Sequence, residues 1–156
     1  KNINFHNFAL SNKNEKVELK IPIRNSNSSK DNYKEYYKLG RATIHEDNAI
    51  QNYEKFIIDG KKLDDCNFKN KISLIKIDVE GHEIPVIEGG MKTILDNKPT
   101  LIVEIEERHS NQKVSFAINF INSIGYKSFY FLDDKLKTTD ELDDLNKCRN
   151  YIFLPI

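Results

Sequence analysis

The sequence predicts an α/β fold with a parallel sheet, and two observations support this. Apolar runs typical of buried strands lie at residues 71–79, 100–106 and 127–132. The segments between these runs carry apolar residues at helical spacing, and strands that alternate with helices are typical of a parallel sheet. With 156 residues, 38% of them hydrophobic and 31% charged, the chain has the size and composition of one globular domain.

The N-terminal part predicts two strands joined by a tight turn. Residues 3–10 and 17–23 each carry near-alternating apolar side chains, which is the period of a strand with one buried face. The polar stretch "NKNEK" separates them. A tight turn at this stretch would join the two strands.

Residues 24–56 are predicted to form a polar insert within the domain. The clearest loop signal in this segment is "NSNSSKDN", in which small polar residues follow one another. After the insert, the stretch "EKFIIDGKKLDD" predicts a short strand before a turn.

The strongest strand candidate is "KISLIKIDV" at residues 71–79, and its apolar residues predict a central place in the sheet. A helix is expected at residues 83–97, because apolar residues recur there at helical spacing. Gly125 closes a second predicted helix, and further strands are expected at residues 127–132 and 150–155.

Composition limits the classes of partner. The chain has 24 basic and 24 acidic residues, so no overall basic field favours nucleic acid or an anionic membrane surface. Cys66 and Cys148 lie far apart without the spacing of a zinc site, and free thiols suit a reducing compartment. No apolar stretch approaches the roughly 20 residues that span a bilayer. We therefore expect a cytoplasmic protein without a membrane span.

Candidate functional residues follow the strand at residues 71–79. Crossovers of one hand should place Asp78 and Glu104 at the same edge of the sheet, where α/β proteins bind ligands. Asp78 and Glu80 point to the same side in extended geometry, and Gly81 permits a sharp turn. Because carboxylates that converge repel each other, we interpret the pair as functional. Glu104 is costly to bury unpaired, so we expect it in the same cleft.

His82 and Glu83 each have a structural interpretation as well. The imidazole of His82 has an unperturbed pKa near 6.5, which suits proton transfer at neutral pH. A lone histidine near a turn also serves as a structural hydrogen-bonding group. Glu83 is explained by the favourable interaction of an acid with the start of a helix.

A resemblance to a known family is carried by three successive stretches, "LIKIDVEGHEIPVIEGGMKTI", "KPTLIVEIEE" and "FINSIGYKSF". They resemble the FkbM family of S-adenosylmethionine-dependent methyltransferases. The upstream "INFHNFALSNKNEKVELKIP" is similar to that family's third core strand and the hairpin after it, and "KKLDD" to its lead-in to the fourth strand. The resemblance covers most of the chain. It implies a Rossmann-like class I methyltransferase sheet, mostly parallel with a reversed last strand.

The resemblance also implies a cofactor and its contacts. Methyl transfer in this family uses S-adenosylmethionine, and the usual acceptor is a hydroxyl oxygen of a sugar or another small molecule. Asn7 and Phe8 occupy the place that borders the adenine ring, where an amide can hydrogen-bond and an aromatic ring can stack. Asp78 lies where the sulfonium group of the cofactor would stand.

The residues implied in catalysis are Asp78, Glu80 and His82. A carboxylate or imidazole at this place can take the proton of a hydroxyl group. Glu104 is implied in binding the acceptor, and Arg41 is a second candidate for that role, reaching it from the polar insert.

The sequence departs from the family in one respect. The family has a glycine-rich loop after its first strand and an acid at the end of its second, whereas Gly89 and Gly90 lie inside a predicted helix. We therefore expect residues 1–156 to be a partial methyltransferase domain that lacks the first two core strands, as the C-terminal part of a longer protein. The alternative is a shortened relative without cofactor binding. The strand edges left unpaired in a partial domain would favour a homo-oligomer.

Two other functions stay open. The spacing Asp78-x-Glu80, with Glu104 and His109 nearby, also suits a divalent cation in a metal-dependent nucleotide-sugar transferase or hydrolase. A catalytically inactive binding module is the third interpretation, because the cofactor loop is missing. The methyltransferase interpretation expects a small-molecule or glycan acceptor as the partner and no resident metal.

Overall fold

The computed structural model describes residues 3–23, 42–45, 53–107 and 112–156. In this part of the chain the strands are β1 (Ala9–Leu10), β2 (Glu15–Pro22), β3 (Tyr53–Lys61), β4 (Leu74–Ile77), β5 (Thr100–Glu104), β6 (Tyr126–Leu132), β7 (Lys135–Thr138) and β8 (Asn150–Pro155). The α-helices are α1 (Glu83–Gly89), α2 (Met91–Asn97) and α3 (Val114–Ser123). Short 3₁₀ turns lie at Leu63–Asp65, Thr139–Glu141 and Leu145–Lys147.

A three-stranded sheet is formed by β1, β3 and β2 in that order. Strand β3 pairs antiparallel with β2 along its length, from Glu15 opposite Gly60 to Pro22 opposite Tyr53. The two residues of β1 pair parallel with the end of β3. The two strands predicted at residues 3–10 and 17–23 correspond to β1 and β2, which a short turn joins, but the first is reduced to Ala9–Leu10. The two strands do not pair with each other, since β3 lies between them. Alternation along a strand indicates which side is buried but does not identify its partner.

The second sheet has five strands in the order β4, β5, β8, β6, β7. Strands β4 and β5 are parallel, whereas β8 runs antiparallel to both β5 and β6. The predicted reversal of the last strand is confirmed. The sheet is mixed rather than mostly parallel. Strand β8 lies between β5 and β6, so these two strands do not pair in parallel with each other, and each pairs antiparallel with β8 instead.

Strand β4 lies at an edge of this sheet among the described strands, not at the centre that its apolar residues predict. Its first residue, Leu74, leaves 53% of its surface exposed, whereas Ile77 is 3% exposed. An apolar run therefore predicted the strand but not its place in the sheet. Both faces of β4 carry apolar residues, and only the face that bears Ile77 is covered.

The hydrophobic core lies between the five-stranded sheet and the three helices. Alternate residues of β5 and β8 point into it, and the fully buried ones come from both layers. They are Leu101, Val103, Tyr151 and Phe153 from the sheet, and Ile87, Ile94 and Ile121 from the helices. Because the connections from β4 to β5 and from β5 to β6 progress in the same direction across the sheet, their helices lie on the same face.

The helix expected at residues 83–97 is interrupted between α1 and α2. A side-chain carbon at Gly89 would lie 2.0 Å from the carbonyl oxygen of Ser11, so the loop after β1 passes directly over this glycine. At Gly90 such a carbon would lie 2.8 Å from the side chain of Leu63. Both glycines therefore permit close packing of the helix pair against preceding segments.

Helix α2 is capped by a residue from outside the helix. The carboxylate of Asp64 accepts hydrogen bonds from the backbone N–H groups of Lys92 (3.1 Å) and Thr93 (2.7 Å). These are N–H groups that have no partner within the helix itself. Among the described residues, no helix combines the length and the apolar character needed to cross a membrane.

Candidate functional site

The acidic residues singled out from the sequence meet where β4 and β5 end. The two strands are parallel, with Ile77 opposite Val103, so the residues that follow, Asp78 and Glu104, stand side by side. The prediction that Asp78 and Glu104 share one edge of the sheet is confirmed. We call Asp78, Glu80, Glu104 and Glu106 the acid edge.

Lys76 supplies a positive charge at the acid edge. Its Nζ atom lies 3.0 Å from Oδ2 of Asp78 and 3.8 Å from Oε2 of Glu104. Lys76 precedes Asp78 by two residues, so both side chains leave β4 on the same side. This is the face of the sheet opposite to the helices, because the intervening Ile77 is buried in the core.

The carboxylates of the acid edge act on one another. The pKa of Glu104 is raised, first by burial and then by the charge of Asp78, with smaller contributions from Glu106 and Glu80. Lys76 opposes this rise. The negative charges of the acid edge therefore repel one another. A positively charged group bound there would reduce this repulsion.

Arg149, the residue directly before β8, contacts the acid edge. Its Nε atom lies 3.5 Å from Oε1 of Glu106, which is largely buried, and its carbonyl oxygen accepts a hydrogen bond from the N–H of Ile105 at 2.8 Å. The sequence offered no signal for this residue, because its proximity depends on the insertion of β8 beside β5.

The chain turns sharply directly after Asp78. Glu80 has a φ of 53° and Gly81 a φ of 102°, so two successive residues lie in the region that favours glycine. Gly81 therefore has the role predicted for it. Glu80 is not a glycine, and a larger residue in this conformation is uncommon and is typically held in place by its surroundings.

Glu83 stabilises this turn from the start of α1. Its Oε1 atom accepts a hydrogen bond from the N–H of Gly81 at 3.0 Å, and the side chain is buried. Burial raises the pKa of Glu83, while hydrogen bonds from backbone N–H groups act in the opposite direction. These contacts agree with the structural interpretation of Glu83.

His82 lies directly before α1 and turns towards the loop after β1. Its Nε2 atom is 2.9 Å from the hydroxyl oxygen of Ser11, which is itself buried. Its Nδ1 atom is buried and has no hydrogen-bond partner among the described residues. Burial, followed by the nearby charge of His45, lowers the pKa of His82 to about 4. His82 is therefore neutral at neutral pH, and its role as a base stays a prediction.

Thr43 is a site residue that the sequence did not indicate. Its hydroxyl group donates to the carbonyl oxygen of Glu80 at 3.0 Å and lies 3.4 Å from that of Val79. The same oxygen accepts a hydrogen bond from the N–H of His45 at 3.0 Å. Thr43 is 2% exposed and pairs through its backbone with Lys20 of β2. It lies in the insert, where sequence patterns were weakest.

The remaining predicted residues are only partly placed. Asn7 is exposed, and Phe8 is half-buried, with the ring of His6 at 5.3 Å and Nζ of Lys61 at 4.9 Å from its centre. Their contact with adenine stays a prediction. Arg41, the second candidate for acceptor binding, lies outside the described residues.

The described residues offer no metal site. Within residues 3–23, 42–45, 53–107 and 112–156, no three His, Cys, Asp or Glu side chains are arranged to hold a metal ion. His109, one of the ligands considered for a divalent cation, is not among them. Thus the described residues give the metal interpretation no support.

Comparison with known proteins places the chain in a family. The profile described as "Methyltransferase FkbM domain" matches residues 1–138. A crystal structure of Methyltransferase FkbM from Methylobacillus flagellatus KT is similar, with 21% sequence identity and a TM-score of 0.43 over 63% of this chain and 23% of that chain. No curated protein matches the sequence. Since the profile covers most of the 156 residues, the chain belongs to the FkbM methyltransferase domain family.

Proposed function

We propose that the chain takes part in S-adenosylmethionine-dependent methyl transfer to a hydroxyl group of a small-molecule or glycan acceptor. The acid edge is the proposed site of proton transfer. The observation that carries this proposal is the parallel pairing of β4 with β5, which places Asp78 beside Glu104. Burial first, and then the charges of Asp78, Glu106 and Glu80, raise the pKa of Glu104. Membership of a methyltransferase family supplies the class of reaction.

S-adenosylmethionine, when bound, supplies a methyl group on a positively charged sulfonium. The acid edge fits a cation, because its carboxylates repel one another and Lys76 opposes only part of that effect. The paired glycines of this chain do not fit a role in binding the methionine part or the ribose of the cofactor. Gly89 and Gly90 pack against Ser11 and Leu63 at the junction of two helices. We therefore assign no residue of this chain to the methionine part or the ribose.

Proton transfer is the step that the acid edge can perform. A hydroxyl acceptor must lose its proton when its oxygen forms an ether bond, and the carboxylate of Asp78 or Glu80 takes that proton. Glu104 is proposed to bind the acceptor by accepting a hydrogen bond from a second hydroxyl group. The proposed roles in proton transfer and in acceptor binding both rest on the position of these residues at the acid edge.

His82 is a weaker candidate than the carboxylates for the same proton. An imidazole whose pKa is about 4 has little tendency to accept a proton at neutral pH. Its Nε2 atom is also engaged with Ser11. We therefore propose a structural contribution for His82 and keep general-base catalysis as the alternative.

A titration followed by nuclear magnetic resonance tests the proposal. S-adenosylmethionine is added to the isotopically labelled protein in its full natural length, and S-adenosylhomocysteine, which has a neutral sulfur, is added to a second sample. We expect the backbone amide signals of residues 78–81 and 104 to shift more with the sulfonium compound. Equal shifts with both compounds would contradict a role for the acid edge in recognising the positive charge. A larger shift with Mg²⁺ alone would favour the metal-dependent function.

A further inference from the structure

We propose that Thr43 is a positioning residue that fixes the backbone of Glu80 and thereby sets where the Glu80 carboxylate stands. Its catalytic meaning rests on the proposed function, in which Glu80 takes or shares the acceptor's proton. The geometry of the contact does not depend on that function. Nothing in the sequence pattern assigned a role to Thr43.

The backbone of Glu80 needs an external restraint. Its φ of 53° is in the left-handed region, which a residue with a side chain seldom adopts, and Gly81 continues the same unusual turn. Strained residues of this kind persist where neighbouring groups hold them, and they are concentrated at functional sites. The N–H of Gly81 is held by the Glu83 carboxylate at 3.0 Å. The carbonyl oxygen of Glu80 accepts a hydrogen bond from the hydroxyl group of Thr43.

Thr43 is itself fixed by the three-stranded sheet. Its backbone N–H and carbonyl oxygen both pair with Lys20 of β2, at 3.0 Å and 2.8 Å. The side chain is 2% exposed, so it has little freedom to move. The hydroxyl group therefore connects a rigid element of one sheet with the turn at the edge of the other.

The direction of the hydroxyl proton follows from the contacts. The N–H of His45 donates to Oγ1 of Thr43 at 3.0 Å, which occupies a lone pair of this oxygen. The hydroxyl proton then points to the carbonyl oxygens of Glu80 at 3.0 Å and Val79 at 3.4 Å. Without the hydroxyl group, these two carbonyl oxygens lose a donor in a partly buried place.

The expected consequence is a displacement of the Glu80 carboxylate. If the turn relaxes from the left-handed conformation, the Glu80 side chain leaves the backbone in a different direction. The pKa values of Glu83 and Glu104 measure this displacement. Burial is the main cause that raises both pKa values, and the charge of Glu80 adds a smaller increase to each. A displacement that takes this charge away from Glu83 and Glu104 should lower both pKa values.

The test compares Thr43→Val, which removes the hydroxyl group, with Thr43→Ser, which keeps it. Carboxyl carbon signals of Glu83 and Glu104 are followed against pH in the chain without cofactor or acceptor. We expect lower titration midpoints for both residues in Thr43→Val and unchanged midpoints in Thr43→Ser. We also expect the unfolding equilibrium constant of Thr43→Val to rise by about tenfold, the loss typical of a buried hydrogen bond.

A control separates positioning from general stability. Ile121→Val removes one methyl group from the fully buried side chain of α3 and should raise the unfolding constant by a similar factor, about tenfold or less. It should leave both midpoints unchanged. Unchanged midpoints in Thr43→Val, or equal shifts in Thr43→Ser, would overturn the positioning role.

If Thr43→Val does not fold, Thr43→Cys replaces it, because a thiol is a weak donor of about the same shape as the serine hydroxyl. Lower midpoints in Thr43→Cys than in Thr43→Ser support the proposal, and equal midpoints overturn it. These titrations use no ligand. The result for Thr43 therefore stands even if the proposed methyltransferase function is wrong. The titration with S-adenosylmethionine tests that function separately.

Discussion

Lys76 stands between Asp78 and Glu104, with its Nζ atom 3.0 Å from one carboxylate and 3.8 Å from the other. The two acids belong to different strands, and the parallel pairing of β4 with β5 brings them together. Lys76 therefore reduces the repulsion between the two carboxylates that this pairing brings together. Its removal should change the pKa of Glu104.

Replacing Lys76 by methionine should raise the pKa of Glu104 further. Lys76 lowers this pKa, while burial and the charge of Asp78 raise it, so loss of the ammonium group leaves the raising effects unopposed. Carboxyl carbon titration measures the midpoint. Lys16→Met is the matched control, because Lys16 forms an exposed ion pair with Asp59. An unchanged Glu104 midpoint in Lys76→Met would show that the lysine does not act on Glu104.

The free energy of unfolding should fall in mild acid because of His82. Its pKa is about 4 in the folded chain and about 6.5 when unfolded, so the unfolded state binds more protons between these values. The contribution of His82 to stability is therefore complete above about pH 6.5 and is lost as the pH falls towards 4. Glu83 and Glu104, whose pKa values are raised, act in the opposite direction.

The variant His82→Gln isolates this effect, because glutamine keeps a polar group near Ser11 but does not titrate. Urea unfolding at several pH values should give a smaller loss of stability on acidification than in the unaltered chain. His6→Gln, at an exposed histidine, serves as the control. The same acid dependence in His82→Gln and the unaltered chain would contradict the assigned pKa.

Replacing Gly89 by alanine should destabilise the fold through a steric clash. The added carbon would lie 2.0 Å from the carbonyl oxygen of Ser11, so α1 or the loop after β1 must move. Overpacking of this kind costs about 1–3 kcal/mol. At Gly125 the added carbon would meet no atom of the described residues within 4 Å, and the φ of 93° at Gly125 is the source of strain there. Chemical denaturation should rank Gly89→Ala as the larger loss; the reverse order would refute the close approach.

Replacing Asp64 by alanine should weaken the start of α2. The carboxylate satisfies the N–H groups of Lys92 and Thr93, and loss of a helix cap costs typically about 1 kcal/mol. Asp65→Ala is the control, because the Asp65 carboxylate contacts only an exposed side chain, that of Asn14, in the described structure. Hydrogen exchange should show faster exchange of the Lys92 and Thr93 amides in Asp64→Ala alone. Unchanged protection would mean that Asp64 is not the cap.

Sequence patterns predicted those parts of the site that depend on local signals. The apolar runs at β4 and β5 identify both strands, and the acids at their ends follow directly from parallel pairing. The position of Gly81 in a sharp turn was also readable, because glycine commonly marks such conformations.

The remaining features depend on contacts between distant segments. Whether residues 3–10 pair with β2 or with β3 is decided by the whole sheet, and alternation cannot distinguish these partners. The break between α1 and α2 lies where Ser11 passes over Gly89, a contact between segments that are distant in sequence. Thr43 reaches Glu80 across 37 residues of sequence, through a hydroxyl group that any surface threonine also carries.

The most direct test of the proposed function is the response of Asp78→Asn to the two cofactor forms. In the unaltered full-length protein we expect S-adenosylmethionine to shift the amide signals of residues 78–81 more than S-adenosylhomocysteine does. Asp78→Asn should reduce this difference, because it removes one negative charge from the acid edge. Asp59→Asn is the matched control, since Asp59 is similarly exposed and also paired with a lysine. Retention of the full difference in Asp78→Asn, as in Asp59→Asn, would contradict a role for the acid edge in recognising the positive charge of the cofactor.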